Sequence, residues 1–211
     1  QVEEEVKKSV ILHPLYTVFY PNYPSTNVDK KEGDVWICIP GQVERSRRDY
    51  DLLFDSIAKN GVDEHIKFLL LGRCEHTDGD GIYVKQRIAE LGVENTFVLW
   101  DSFIETDEFY GMLRASDFVL PLIHPKHESY SLYEFQISGS FNLAFGFQKP
   151  LLIERSFSNY TDFKDTSLFY AAEELMPLIN GLRREQASGF YQNTKWEFEN
   201  QKRTFLSALG L

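Results

Sequence analysis

The chain has 211 residues, 43% hydrophobic and 26% charged, which excludes a disordered or low-complexity protein and fits one large domain or two small ones. With 22 Lys and Arg against 32 Asp and Glu, its net charge of −10 repels a phosphate backbone, so duplex nucleic acid is a poor partner. No apolar run approaches the ~20 residues that span a bilayer, and the start, Gln1-Val2-Glu3-Glu4-Glu5, lacks a signal-peptide order, which predicts a cytoplasmic protein with no transmembrane segment and leaves peripheral attachment to the inner membrane open.

Residues 1–33 carry Pro14, Pro21 and Pro24 and no sustained helical period, which reads as a linker or interdomain segment. The apolar run Val35-Trp36-Ile37-Cys38-Ile39, closed by Pro40-Gly41, reads as a strand, and Tyr50, Leu52, Leu53, Phe54 and Ile57 then recur at helical spacing. The alternation repeats: Ile66 to Gly72 and then Ile82 to Leu91, Thr96 to Trp100 and then Thr106 to Arg114. A strand over Phe118 to Leu122 follows, then a small-residue helix around Ser140 to Phe147, the strand Leu151 to Ile153, and a helical tail over about 172–209 with breaks near Pro177 and Gly189. Short, wholly apolar strands separated by amphipathic helices predict an α/β fold, a doubly wound, Rossmann-like parallel sheet covered on both faces. Cys38 and Cys74 sit in or beside strands and form neither a disulfide framework nor a metal-ligand set, so they read as reduced structural thiols.

Ligands of such sheets bind beyond the carboxyl ends of the strands, where the strand order reverses. That places the cleft at the edge formed by Gly41, Gly72, Trp100, Leu122 and Ser138. The loop Pro40 to Arg48 holds Arg45, Arg47 and Arg48 just before a helix, and guanidinium forks there suit a phosphate. The competing reading is a solvated basic turn balanced by Glu44, Asp49 and Asp51. Ser138-Gly139-Ser140 opens a helix and can aim amides at a diphosphate, or simply cap that helix. Glu128, on the loop after the fourth strand, suits sugar hydroxyls or is a surface acid. No strand is followed by Gly-x-Gly-x-x-Gly or by a Walker loop, which disfavours nicotinamide dehydrogenases and P-loop NTPases. Asp49-x-Asp51 and Asp78-x-Asp80 have a metal-binding form, yet a helix start and a Gly-rich turn explain them, so no metal site is assigned.

Several of these segments, in this order, resemble the donor-binding half of GT-B glycosyltransferases, most closely the retaining group 1 family, over roughly Asp34 to Ile153. Gly41, Gln42 and Arg47 fall on the Gly, Arg and Lys of that family's Gly-Arg-x-x-x-x-Lys-Gly loop, with Gln42 in place of the Arg. Phe68 to Gly72, Leu91-Gly92-Val93 with Phe97-Val98-Leu99, and Leu113 to Pro121 match further family elements. The family also carries two glutamates with seven residues between them. Glu128 to Leu132 fits the first, which puts the second on Gln136; anchoring instead on Gln148-Lys149-Pro150 favours Glu134 and sets Ser138-Gly139-Ser140 at the phosphate loop.

The resemblance implies a hexosyltransferase of polysaccharide biosynthesis that uses a nucleotide diphosphate-sugar as substrate, with no cofactor. Arg47 and Glu128 are its catalytic candidates. Gly41, Gln42, Arg45, Arg47, Gly72, Glu134, Ser138, Gly139 and Ser140 would bind the donor. Residues 1–33 are expected to link to a missing N-terminal acceptor domain, residues 34–211 to form the nucleotide-sugar-binding domain with a C-terminal helical tail, and the chain, which starts at Gln1, to be a fragment with little activity alone. Apolar tail residues such as Phe190, Tyr191, Trp196, Phe198, Phe205 and Leu206 are expected to pack partly on that missing domain. The alternatives are a GT-B-fold sugar-nucleotide epimerase and a non-catalytic α/β binding domain; a flavodoxin-like or receiver domain is disfavoured because no acidic pair or Ser/Thr-rich turn directly follows the first strand.

Overall fold

Side chains of a strand point alternately to opposite faces, so a strand apolar on both faces has to be covered on both. Strand β1, Val35–Pro40, is buried along its whole length. A computed structural model describes Tyr16 and residues 25–74, 79–134 and 137–211. Within them β1 is followed by α1 (Tyr50–Asn60), β2 (Ile66–Arg73), α2 (Asp80–Leu91), β3 (Phe97–Trp100), α3 (Thr106–Ala115), β4 (Phe118–Val119) and a 3-10 helix over Glu128–Glu134. Then come α4 (Gly139–Phe147), β5 (Leu151–Glu154), α5 (Thr161–Lys164), β6 (Ser167–Tyr170), α6 (Leu175–Asn180) and α7 (Phe198–Ala208), with further short 3-10 turns between them.

The strands form one parallel sheet in the order β3-β2-β1-β4-β5-β6. Val35, Ile37 and Ile39 of β1 enter one core with Phe54 and Ile57 of α1, Ile88 of α2 and Leu175 and Ile179 of α6. Trp36 and Cys38 point the other way, into a second core with Leu113 of α3 and Ala144 and Phe145 of α4. The order reverses between β1 and β4, where the chain after β1 turns to one side and the chain after β4 to the other. That split opens a crevice beyond the carboxyl ends of these two strands.

The doubly wound α/β sheet expected from the sequence is present, with differences at its margins. Strand β4 is shorter than the expected run to Leu122. Its pairing ends with Leu120, whose amide donates to the Cys38 carbonyl at 2.8 Å, because Pro121 has no N–H and Leu122 turns to a left-handed φ of 55°. Strand β6 has no clear sequence signal, since the four residues Ser167-Leu168-Phe169-Tyr170 on a sheet edge carry little periodicity. The tail is interrupted, but not by Pro177 itself, which sits in the first turn of α6, where its missing N–H costs nothing; α6 ends at Asn180.

Of the segment assigned to a linker, residues 1–15 and 17–24 lie outside the described residues, as do Asp78 and Gln136. The Thr26 amide donates to Asp107 of α3 at 3.1 Å, and Lys30 pairs with buried Asp117. The tail divides. Tyr191 and Trp196 are buried in the second core, Trp196 lying 4.9 Å from the Phe145 ring, whereas Phe198 and Phe205 stay 42% and 47% exposed.

Candidate functional site

Two adjoining hollows open on the carboxyl side of β1, of about 360 Å³ and 370 Å³, and share Gly41, Gln42 and Phe109. The first is bounded by the loop after β1, including Glu44, Arg47 and Arg48, and by Ser138, Gly139 and Ser140 at the start of α4. The second is more apolar, with Leu71, Gly72, Phe103 and Ile104 along it.

Two glycines allow the chain to pass this closely. Gly41 turns the loop at φ 98° and donates its amide to the Leu71 carbonyl at 2.9 Å. A Cβ on Gly72 would run into the Gly41 carbonyl oxygen and lie 2.9 Å from the Gln42 Cα. Arg48 folds back over this turn, its guanidinium donating to the Pro40 carbonyl and, at 2.9 Å, to the Gln42 carbonyl. Among the described residues no carboxylate forms an ion pair with Arg48. Arg47 is 59% exposed and pairs with the Glu44 carboxylate at 2.7 Å.

Helix α4 starts beside them. The Ser138 hydroxyl accepts from the Ser140 amide at 3.3 Å, and the Ser140 hydroxyl donates across to the Pro40 carbonyl at 3.3 Å, joining the helix start to the end of β1. Both serines are buried. Ser138→Ala should remove the cap and lower stability by ~1 kcal/mol, read from the midpoint of denaturant unfolding.

No protein-family model matches the chain, and no curated protein matches it in sequence. Solved structures do match. A glycosyltransferase from Rickettsia africae superposes with a TM-score of 0.52 at 14% identity, over 84% of this chain and 44% of that one. Alr3699/HepE from Anabaena, solved with UDP and glucose, gives 0.58 at 13% identity over 84% and 48%. The C-terminal domain of the group 1 glycosyl transferase LpcC from Francisella tularensis gives 0.60 at 9% identity, over 88% of this chain and 98% of that domain. The chain has the fold of a GT-B glycosyltransferase C-terminal domain. The motif resemblance implied this fold, and the chain spans less than half the length of the Rickettsia and Anabaena proteins.

On this GT-B domain the residues singled out in the sequence separate into two groups. Gly41, Gln42, Arg47, Ser138, Gly139 and Ser140 border the first hollow and Gly72 the second. Arg45 borders neither: its guanidinium lies 4.0 Å over the Tyr83 ring and pairs with Asp51 at 2.7 Å, while its amide donates to Asp80 at 2.8 Å. The loop is thereby tied to α1 and α2. Glu128 is exposed at the start of its 3-10 helix and borders neither hollow, and Glu134 ends the same helix. Asp49 proves to be the N-cap of α1, its Oδ1 accepting from the Leu52 amide at 3.0 Å.

Sequence reasoning gave no role to Arg48's inward fold, to Phe103 and Phe109, or to His124. The ring of His124 lies between the Asp49 carboxylate, 3.0 Å from Nδ1, and the Tyr170 hydroxyl, 2.8 Å from Nε2. Burial pushes the Asp49 carboxyl up, but the bonds from His124 and Leu52 outweigh it and its pKa falls below the usual value of 3.8. Its contribution to stability is therefore complete above that value and is lost as the pH drops below it. None of the described helices is long and apolar enough to cross a membrane.

Proposed function

We propose that the chain is the donor-binding domain of a glycosyltransferase and holds a nucleotide diphosphate-sugar in the paired hollows beyond β1 and β4. One observation carries this reading. In a chain of net charge −10, two guanidinium groups and a helix N-terminus converge on one hollow at the switch point of the sheet. Cations and helix-start amides favour a diphosphate there, and the neighbouring apolar hollow suits a nucleobase against Phe103 and Phe109.

The chemistry follows from where charge develops. As the bond from the sugar to the diphosphate breaks, negative charge grows on the departing diphosphate. Arg47 and the amide of Gly139 would stabilise it, after Arg47 exchanges Glu44 for a phosphate oxygen. The motif resemblance assigns the sugar and ribose hydroxyls to Glu128 or Glu134, of which Glu128 borders neither hollow. Hexosyl transfer with retention is the outcome to which the motif resemblance points. The acceptor belongs to a second domain, and bringing two reactants together accounts for ~7–11 kcal/mol of the barrier in well-oriented systems, so this chain alone should transfer little sugar.

Calorimetric titration of the 211-residue chain with UDP, GDP and ADP tests the reading. The expected result is saturable binding of at least one of them at millimolar concentration or below. The absence of binding by all three would overturn it.

A further inference from the structure

The loop that carries Arg47 and Arg48 ends at Asp49, and Asp49 is held from three directions. Its amide donates to the Leu122 carbonyl at 2.9 Å, and its Oδ1 caps α1. Its Oδ2 lies 3.0 Å from Nδ1 of His124, a ring only 3% exposed. On the far side of that ring stands the Tyr170 hydroxyl at 2.8 Å, at the carboxyl end of β6. Burial pushes the Tyr170 hydroxyl far up in pKa, so it keeps its proton. With the imidazole neutral, Tyr170 donates into Nε2 and Nδ1–H donates to Asp49. The bonds run from Tyr170 through His124 and Asp49 to Leu52.

These bonds join the loops that follow β1 and β4 to the end of β6, and Asp49 directly follows Arg48, which borders the first hollow. Leu122, a bulky residue in the left-handed region at φ 55°, is a strained position, and its carbonyl is the one that receives the Asp49 amide. A buried polar network fixes geometry rather than adding stability over an apolar cluster of equal volume, because each of its groups is desolvated to form it. The geometry fixed here is that of the two residues before Asp49, Arg47 and Arg48.

We propose that His124 is a positioning residue: through Asp49 it holds the loop bearing Arg47 and Arg48 in the conformation that grips the donor's diphosphate. The inference rests on the donor-binding reading of the cleft. His124 need not touch the ligand. It reduces the ordering that the loop would otherwise undergo on binding.

The test compares His124→Leu with His124→Asn, titrated with whichever of UDP, GDP and ADP binds the wild type best. An Asn side-chain amide takes about the place of Nδ1, so it can still donate to Asp49, yet it cannot reach Tyr170. Both variants vacate the ring and should lose thermal stability alike. His124→Leu is expected to weaken binding about tenfold, the equivalent of ~1.4 kcal/mol, and His124→Asn to recover most of that loss. Equal weakening in both, or in neither, overturns the inference while the donor-binding reading stands. A wild type that binds none of the three overturns both. Should His124→Leu not fold, His124→Gln takes its place, its amide lying at about the position of Nε2 and out of reach of Asp49. Binding about threefold or more weaker than that of His124→Asn upholds the inference, and equal affinities overturn it.

Discussion

Gly72→Ala is expected to lower stability by ~3 kcal/mol and to abolish nucleoside diphosphate binding. The added methyl would occupy the space of the Gly41 carbonyl and press on the Gln42 Cα at 2.9 Å. Both neighbours are backbone, so no side chain can swing aside. Relief requires the loop after β1 to lift off β2, which breaks the bond from the Gly41 amide to the Leu71 carbonyl and carries Arg47 and Arg48 with it. The cost therefore falls on the fold and on the site together. Urea unfolding and calorimetry read the two parts separately. A variant with the wild-type midpoint and the wild-type affinity would show that the loop does not depend on this close approach.

The second large effect is on binding alone. Arg47→Ala should weaken the affinity for a nucleoside diphosphate by ~1.5–3 kcal/mol, the scale of a charged hydrogen bond. Two features favour the lower end. Arg47 is 59% exposed, so water screens it, and it has to give up Glu44 before it can meet a phosphate. Raised salt should narrow the difference between wild type and variant, because the interaction at stake is that of an exposed charge. Stability should change little, since the ion pair lost is a surface one. Equal affinities would remove Arg47 from the site.

The layout of the sheet was legible because its strands are wholly apolar. Val35 to Ile39 and Phe68 to Leu71 can be read as buried parallel strands without any tertiary information. Strand β6 was not legible: four residues on an edge, with Leu168 and Phe169 only half-buried, do not stand out from a loop. The place of the candidate site follows from the fold, as the carboxyl ends of β1 and β4 are set by the strand order.

Which arginine faces the cleft did not follow. Arg45, Arg47 and Arg48 lie within four positions of an aperiodic loop, and their directions are decided by partners on other elements. Asp51 and Tyr83 draw Arg45 away, while the carbonyls of Pro40 and Gln42 turn Arg48 inward. Asp49, His124 and Tyr170 are further out of reach of any local motif. They come from the start of α1, the loop after β4 and the end of β6, and only the folded sheet brings them together.

The central claim is that a nucleotide diphosphate binds between the loop after β1 and the start of α4. The most direct measurement is a crystal structure of this chain grown with the nucleoside diphosphate that binds best. The account predicts the diphosphate within hydrogen-bond distance of the Arg47 guanidinium and the Gly139 amide, and the base against Phe103 and Phe109. A nucleotide found at any other place on the domain, or phosphates turned away from Arg47 and α4, would contradict it.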